Sequence, residues 1–319
     1  MKKKVLVLTY EDDPHANSVC DYFEKTDINY FRVDTDKIIR DYKITFDSKS
    51  GSFIISNELR KAVIDESWNI WNRRIIKPDV PTGIPRDIEK IILNETKSTW
   101  DSLLFTHKGK IVNDPRAQYT ANNKIDQILF AKSNNRQINI PLTILSNDPD
   151  KFLSFCGDND RVCHKLQNMS CVVKDEEPLT IYTNIVKKED LEHIHLIRNH
   201  PSLFQCYIDK EYELRITSLE EKVIGIAIHS QNSEKSKIDF RKYDFEKVKY
   251  EKVDLPNNVT SFCLELLKHY NLSFGEIDMI YTKEGEYYFL ELNPNGQWLW
   301  LELLSRYNLT KDVAENLIK

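Results

Sequence analysis

Glycine is scarce in this chain, which contains eight glycines among 319 residues. The sequence holds neither a G-x-x-x-x-G-K-[ST] phosphate loop nor a G-x-G-x-x-G dinucleotide turn, because both need closely spaced glycines. If the protein binds a nucleotide, it therefore does so without either of these loops.

Paired cysteine motifs are also lacking. The six cysteines include no C-x-x-C pair and fit reduced thiols in the cytoplasm better than a disulfide framework. A zinc site at Cys163-His164, or at His193 and His195, would have no second ligand pair to support it. We therefore expect a cytoplasmic protein without structural zinc.

Long apolar runs and an excess of positive charge are absent as well. The opening residues, MKKKVLVLTY, carry an apolar run too short for a signal-peptide core, and no segment approaches the roughly 20 apolar residues of a membrane span. The formal net charge is −5, which does not favour nucleic-acid binding. We expect an ordinary globular chain with neither a membrane nor a nucleic acid as partner.

A β-hairpin is predicted by the stretch FGEIDMIYTKEGEYYFLELNPNGQW, which begins at Phe274. Two alternating runs flank Glu284-Gly285, which we expect to form a two-residue turn with glycine at positive φ. Lys283 would then pair with Glu286. One face of this hairpin is expected to be apolar and to carry Ile277, Met279, Tyr281, Tyr288, Leu290 and Leu292.

The other face of the predicted hairpin is acidic. The register places Asp278 opposite Glu291, and Glu276 opposite Asn293. Directly opposed carboxylates repel each other, so a positive charge should lie between Asp278 and Glu291. Hard oxygen ligands with one amide, from Asn293, suit Mg²⁺. The alternative from the pattern alone is a solvated hairpin face.

These residues also carry a family resemblance. Asp278, followed by Glu291-Leu-Asn293-Pro294, resembles the C-terminal metal-binding signature of ATP-grasp ligases, and the longer FLELNPNGQWLWLE resembles the graspetide synthetases, or microviridin-type macrocyclases. The resemblance is specific in Glu291–Trp298 and weaker over 1–119. It implies an ATP-grasp fold, with Asp278, Glu291 and Asn293 as magnesium ligands and ATP as the nucleotide.

The fold class expected is mixed α/β and α+β. A strand at 4–9, a helix near 15–25 and a strand at 30–33 indicate a parallel α/β unit, which precedes the ATP-grasp part. We expect an N-terminal domain at 1–118, a central domain at 119–203 and a C-terminal domain at 204–319. Other expected elements are a hairpin at 43–55, a helix at 120–134, a helix at 188–199, and successive antiparallel strands at 203–208, 213–219 and 223–229.

Two lysines match positions at which the family contacts phosphates. Lys124, in NNKIDQILF, resembles the lysine that opens the central-domain helix, and Lys165, in RVCHKL, resembles the lysine on the strand beneath the phosphates. The resemblance implies a contact with ATP for both; a solvated lysine is the alternative. The family's glycine-rich phosphate loop has no counterpart, because 167–171 lacks glycine.

The stretch FQCYIDKEYELRI, from Phe204, resembles the hinge that holds adenine in this family. The resemblance implies that backbone N–H and C=O groups of the hinge bind the base, that Glu213 approaches the ribose, and that Arg215 and Arg241 act on phosphate or acyl phosphate. A structural ion pair is the alternative for Arg215. The hinge residues are Gln205, Cys206, Tyr207 and Ile208.

The reaction implied by the resemblance is ATP-dependent and ADP-forming. Side-chain carboxylates of Asp or Glu in a ribosomally made precursor peptide would become acyl phosphates and then form intramolecular esters or amides, which closes macrocycles. The enzyme would recognise a leader segment of the precursor through the 188–199 helix and a neighbouring hairpin, and would form a homodimer. Trp71, Arg73 and Arg74 could face a peptide carboxylate or form a structural cation–aromatic cluster. The alternatives are a ligase that adds glutamate or another amino acid, and a nucleotide sensor without activity.

Overall fold

The computed structural model describes residues 4–134, 137–167, 171–174 and 177–319. Its strands are β1 (Lys4–Thr9), β2 (Tyr30–Asp34), β3 (Lys43–Asp47), β4 (Ser52–Ser56), β5 (Lys61–Ile64), β6 (Trp68–Asn72), β7 (Ile111–Val112), β8 (Thr143–Ser146), β9 (Val162–Lys165), β10 (Cys171–Lys174), β11 (Glu177–Thr180), β12 (Asn184–Ile185), β13 (Ser202–Cys206), β14 (Tyr212–Leu219), β15 (Val223–Ile228), β16 (Tyr250–Val253), β17 (Phe274–Tyr281) and β18 (Tyr287–Asn293). Its α-helices are α1 (Pro14–Lys25), α2 (Ile38–Asp41), α3 (Arg86–Thr106), α4 (Pro115–Ala121), α5 (Lys124–Ser133), α6 (Pro149–Gly157), α7 (Asn257–His269), α8 (Leu299–Ser305) and α9 (Leu309–Leu317), and 3₁₀ helices lie at Thr35–Lys37, Glu189–Asn199 and Ser230–Asn232.

The N-terminal part is built on a parallel sheet with the strand order β2-β1-β6-β7. Val5 to Leu8 of β1 are all fully buried, because a central parallel strand is covered on both faces. The predicted parallel α/β unit is therefore confirmed. Beside it, β3, β4 and β5 form an antiparallel sheet that contains the predicted hairpin at 43–55 and one strand, β5, that the sequence prediction missed.

Two further antiparallel sheets follow, one in the middle of the chain and one towards its C-terminus. The middle sheet has the order β12-β9-β13-β8, and the C-terminal sheet has the order β16-β15-β14-β17-β18. The strands predicted at 203–208, 213–219 and 223–229 are present as β13, β14 and β15, and β14 and β15 pair antiparallel. The first of them, β13, belongs to the middle sheet, where it pairs with β8 and β9.

The predicted helix at 120–134 is interrupted. The structure has two helices, α4 and α5, because the Asn123 side chain caps the second one by accepting from the N–H groups of Ile125 and Asp126. The predicted helix at 188–199 is a 3₁₀ helix, Glu189–Asn199, none of whose residues is buried. Lys124 is nevertheless the first residue of its helix, as expected.

The hairpin formed by β17 and β18 has the predicted register only at its site end. Asp278 lies opposite Glu291 and Glu276 opposite Asn293, but a β-bulge between Asp278 and Met279 shifts the remaining pairs by one residue. Phe289 therefore lies opposite Met279 in the core. The apolar-face assignment of Tyr288 and Leu290 was wrong for this reason, and Leu290 instead lines the cavity described below.

The turn of this hairpin also differs from the prediction. Thr282 pairs with Glu286 through an N–H···O bond of 3.0 Å, and Gly285 donates to the Thr282 carbonyl at 3.1 Å. The loop thus contains three residues rather than two, and Lys283 does not pair with Glu286. Gly285 has φ of 84°, so glycine is where positive φ occurs, as expected.

Both ends of the chain contribute to one hydrophobic core. Val5, Val19 and Phe23 from the N-terminal part share a buried cluster with Val313 and Leu317 of α9. The C-terminal helices consequently cover one face of the N-terminal sheet. None of the helices in the described ranges is long and apolar enough to cross a membrane.

Candidate active site

A cavity of about 210 Å³ lies between the middle sheet and the C-terminal sheet. The fold brings to it residues that are far apart in sequence, from α5, β9, β13, β14, the segment after β15, and the β17–β18 hairpin. The sequence-predicted site residues that line it are Lys124, Lys165, Gln205, Cys206, Tyr207, Ile208, Glu213, Arg241, Asp278, Glu291 and Asn293. Of the predicted set, Arg215 does not line the cavity but lies directly behind it.

Arg215 provides one of the positive charges that the opposed carboxylates require. Its Nη1 donates to both carboxylate oxygens of Asp278, at 2.8 and 2.9 Å, and its Nε donates to Glu276 at 3.0 Å. All three side chains are buried, because β14 pairs with β17 in the middle of the sheet. The structure thus places Arg215 in the ion pair that was the alternative to a phosphate contact.

Lys124 provides the second positive charge. It contacts the carboxylate of Glu291 from the start of α5, while Glu291 itself lies opposite Asp278. Burial and the nearby charge of Lys165 lower the pKa of Lys124 to about 8. Each of the two opposed acids is therefore neutralised by a different cation, one behind the sheet and one across the cavity.

Asp278, Glu291 and Asn293 form an oxygen-donor set on neighbouring strands. Two carboxylates and an amide suit a hard cation such as Mg²⁺, which keeps several water or phosphate ligands of its own. Within the part of the chain that the structure describes, no group of three or more His, Cys, Asp or Glu side chains could hold a metal ion. The set therefore fits Mg²⁺ when a phosphate completes the coordination, and it does not fit a closed structural metal site.

Positive charge faces these acids from the opposite wall. Lys165 ends β9, and no described residue accepts a hydrogen bond from its Nζ; burial lowers its pKa. Arg241 is held by Asp239, which accepts from its Nε at 2.9 Å and is itself fixed by the Thr183 N–H at 2.8 Å. Lysine and arginine side chains beside a carboxylate pair are the arrangement needed to bind a metal-bound polyphosphate.

The predicted hinge lies at the other end of the cavity. The N–H of Cys206 donates to the Leu142 carbonyl at 2.9 Å, and the N–H of Tyr207 donates to the Arg161 carbonyl at 2.8 Å. These two N–H groups are therefore used within the protein and cannot also bind a base. Among the described residues, none accepts from the N–H of Ile208, so this group is available to a ligand.

Gln205 and the apolar lining complete this end of the cavity. Gln205 donates to Thr143 at 3.0 Å, but its buried Oε1 has no hydrogen-bond partner among the residues that the structure describes. Such an orphaned acceptor in a cavity wall is costly unless a ligand satisfies it. The apolar residues of the wall are Pro141, Ile181, Ile238, Met279, Ile280 and Leu290.

Lys210 is a site residue that the sequence analysis missed. It is buried, its Nζ lies 2.6 Å from Glu213 Oε1, and it donates to the Ile238 carbonyl at 3.0 Å. Ser230 donates to the second oxygen of Glu213. Burial raises the pKa of Glu213, and the charge of Lys210 opposes this rise. The signal available was a lysine three residues before a glutamate in an apolar strand pattern.

Comparison with known proteins agrees with this architecture. The family model of the MvdD pre-ATP grasp domain matches residues 4–120. No curated protein matches the chain in sequence at a significant level.

Several solved structures are similar over nearly the whole chain. The macrocyclase MdnC bound with precursor peptide MdnA, from Microcystis aeruginosa MRC, is 27% identical, with 99% of each chain covered and a TM-score of 0.86. A RiPP-associated ATP-grasp ligase from Chryseobacterium gregarium, in complex with ADP and a leader and core peptide, is 27% identical, with 99% of this chain and 96% of that one covered and a TM-score of 0.88. Macrocyclase MdnB from Microcystis aeruginosa MRC is 26% identical, with 99% of each chain covered and a TM-score of 0.77. The chain therefore matches the MvdD pre-ATP grasp domain over residues 4–120 and is similar along its length to RiPP macrocyclases and an ATP-grasp ligase, which supports an ATP-grasp ligase.

Proposed function

We propose that this protein is an ADP-forming ligase that closes macrocycles in a ribosomally made precursor peptide. It joins side-chain carboxylates of Asp or Glu to hydroxyl or amine side chains of the same peptide. The observation that supports the proposal most strongly is the cavity in which opposed acids face lysine and arginine side chains, in a chain similar along its length to a macrocyclase bound to its precursor.

The acidic side of the site suits the metal-bound phosphates of ATP. Asp278, Glu291 and Asn293 would hold Mg²⁺, which neutralises phosphate charge when it is bound. Lys124 now contacts Glu291 and would exchange that contact for phosphate. Lys165, without an acceptor among the described residues, is the second phosphate ligand.

The nucleoside end of the cavity suits adenosine. The Ile208 N–H and the unpartnered Gln205 Oε1 are a donor and an acceptor near the apolar lining, as a purine edge requires. Glu213, held by Lys210 and Ser230, would face the ribose hydroxyls.

The chemistry needs two displacements. A peptide carboxylate oxygen attacks the γ-phosphorus of ATP, the bond to the β-phosphate oxygen breaks, and ADP leaves. A hydroxyl or amine of the peptide then attacks the acyl carbon, phosphate leaves with the bonding electrons, and the nucleophile loses its proton. Arg241, fixed by Asp239 at the cavity rim, would stabilise the charge on the transferring phosphoryl group, while Arg215 keeps Asp278 in place from behind.

The peptide partner would bind outside this cavity as well as at it. The 3₁₀ helix Glu189–Asn199 has no buried residues and follows the β10–β11 hairpin, which makes the two the proposed leader-binding surface. We also propose that the enzyme acts as a homodimer in the cytoplasm, and that its domains divide at 118/119 and 203/204.

Mass spectrometry of the peptide tests the proposed function. The substrate to use is a short acidic, Thr-rich peptide encoded next to the gene, incubated with the protein, ATP and Mg²⁺. The expected products are lighter by one water per crosslink, with ADP as the nucleotide product; mild base restores the water to esters and leaves amides unchanged. A mass gain would instead indicate a ligase that adds amino acids, AMP would exclude the acyl-phosphate route, and the absence of any product would indicate a nucleotide-binding protein without ligase activity.

A further inference from the structure

The loop after the last proposed metal ligand, residues 294–298, is pressed against the candidate site. A Cβ placed on Gly296 would lie 2.4 Å from Glu276 Cβ and 3.0 Å from an Arg215 nitrogen, so only glycine allows this approach. The Gln297 carbonyl accepts from Arg215 Nη2 at 3.2 Å. The position of this loop therefore determines the position of Arg215, which in turn holds Asp278.

A buried arginine of the N-terminal part holds the same loop from its other side. The Nη1 of Arg73 donates to Asn295 Oδ1 at 2.7 Å and lies 3.3 and 3.4 Å from the carbonyl oxygens of Asn295 and Gly296. The amide of Asn295 donates back to the Arg73 carbonyl. Arg73 is 2% exposed, so it contributes to this contact and not to a solvent-facing peptide site.

Asp13 and His15, at the start of α1, complete the contact. Asp13 Oδ2 lies 3.3 Å from Arg73 Nε and accepts from Thr9 at 2.8 Å. His15 Nε2 faces the N–H groups of Trp298 and Leu299, at 3.2 and 3.3 Å. It can accept there only as a neutral ring with its proton on Nδ1, the nitrogen that lies 3.4 Å from Asp13 Oδ1.

The burial of these groups shows that the arrangement serves more than packing. Asp13, His15 and Arg73 are each at most 5% exposed, and burying charge is costly unless partners satisfy it. Arg73 and His15 contact mainly backbone groups of a segment more than 200 residues away, and Asp13 in turn holds Arg73 and His15. An apolar contact could cover the same segment, but it would not fix its orientation. Directional bonds to backbone groups fix both the position and the rotation of the loop.

We propose that Asp13, His15 and Arg73 are positioning residues, by which the N-terminal domain sets the loop 294–298 and, through it, Asn293 and Arg215. This inference rests on the proposed function, because it takes the ligand of the site to be a metal-bound nucleotide. The N-terminal domain would then affect the affinity for the nucleotide through the loop 294–298, without contacting the nucleotide itself.

Two variants of His15 separate positioning from packing. His15→Gln keeps an oxygen that can accept from the loop N–H groups, whereas His15→Phe keeps the ring and its edge contact with Trp298 but removes the acceptor. The matched control is Arg116→Met, because Arg116 is 64% exposed, pairs with Asp114 and lies over the Phe105 ring, away from the loop and the cavity. Arg73→Lys and Arg73→Met form a second pair, in which only the lysine keeps a charge near Asp13.

Two measurements decide the outcome, and neither needs the peptide. Hydrogen exchange of the segment 296–301 should become at least tenfold faster in His15→Phe, and less so in His15→Gln. The affinity for a non-hydrolysable ATP analogue, measured by calorimetry in the presence of Mg²⁺, should fall by tenfold or more in His15→Phe and Arg73→Met. The loss should be smaller in His15→Gln and Arg73→Lys. The control, Arg116→Met, should bind the analogue as the unaltered protein does.

The contrary results are distinct from a failure of the proposed function. Exchange and affinity in His15→Phe equal to those of the unaltered protein would overturn the positioning role, as would equal losses in the Gln and Phe variants. If His15→Phe and Arg73→Met do not fold, hydrogen exchange and analogue affinity in His15→Gln and Arg73→Lys test the positioning role instead. A protein that binds the analogue but never crosslinks a peptide would contradict the proposed function and leave the positioning role standing, whereas no analogue binding at all would overturn both.

Discussion

The two walls of the cavity differ in how their polar groups are satisfied. On the wall formed by the C-terminal sheet, Asp278 is bound by Arg215 through two hydrogen bonds, and Glu291 by Lys124. On the wall formed by the middle sheet, Lys165 has no acceptor among the described residues and Gln205 Oε1 is an orphaned buried acceptor. The first wall is internally paired, and the second has groups that a ligand could satisfy. Removing the buried cation of the first wall, Arg215, should therefore change stability most, whereas substitutions on the second wall should mainly change binding.

The largest effect is expected for Arg215→Met, which tests the paired wall. Removing the guanidinium leaves Asp278 and Glu276 buried without their cation, and breaking a buried pair in this way costs about 3–5 kcal/mol. Unfolding in urea should show a loss of this size, together with loss of ADP formation. Stability within about 1 kcal/mol of the unaltered protein would mean that this wall is not held by the ion pair.

Glu291→Gln should abolish turnover with little loss of stability. Glu291 is 26% exposed at its side chain, so its pair with Lys124 is partly screened by solvent and contributes about 1 kcal/mol or less to folding. A carboxylate ligand of Mg²⁺ cannot be replaced by an amide without loss of charge. ADP release assayed across a range of Mg²⁺ concentrations checks this, and full activity in the variant would refute the metal assignment.

Lys165→Met tests the wall whose cation lacks a protein acceptor. The loss of one charge-assisted contact to phosphate should weaken an ATP analogue by about 1.5–3 kcal/mol, which is roughly 10- to 150-fold. Because burial disfavours the charged lysine in the free protein, the melting temperature should stay the same or rise. Calorimetry measures the affinity for the analogue, and a thermal melt measures the melting temperature. A large drop in stability without a change in affinity would show that Lys165 stabilises the fold and does not bind the ligand.

Gly285→Ala should have the smallest effect and serves to locate the boundary of the site. Gly285 has φ of 84° and no crowded neighbour, so alanine there is strained by about 1 kcal/mol without a collision. Urea unfolding should show that small loss while the affinity for the ATP analogue is unchanged. Weakened binding would show that the far end of the hairpin is coupled to the cavity.

The same comparison explains which site residues the sequence could predict. The opposition of Asp278 and Glu291 follows from strand alternation, which is local, and it was predicted correctly. The identity of the cations was not predicted from the pattern, because Arg215 and Lys124 lie 63 and 167 residues away from the acids they bind. The contribution of Arg215 to stability could not be predicted for the same reason. The local pattern shows two acids that repel each other and does not show the cations that neutralise them.

The errors in the hairpin have a similar origin. A β-bulge between Asp278 and Met279 turns Phe289 into the core and Leu290 towards the cavity. The alternating pattern alone does not distinguish the register with this bulge from the register without it. The bulge is selected by the core, since it allows the large Phe289 ring to be buried while Asp278 still faces Glu291.

The sequence by itself determined the elements and the chemistry that depend on near neighbours: the parallel strand–helix–strand start and the acidic hairpin face. Periodicity, capping and strand alternation are local, so a single chain shows them. The tertiary structure alone decided that Arg215 lies behind Asp278, that Lys210 holds Glu213, and that Arg73 and His15 clamp the loop after Asn293. These contacts join distant parts of the chain, and burial makes their cost depend on partners that no local pattern contains.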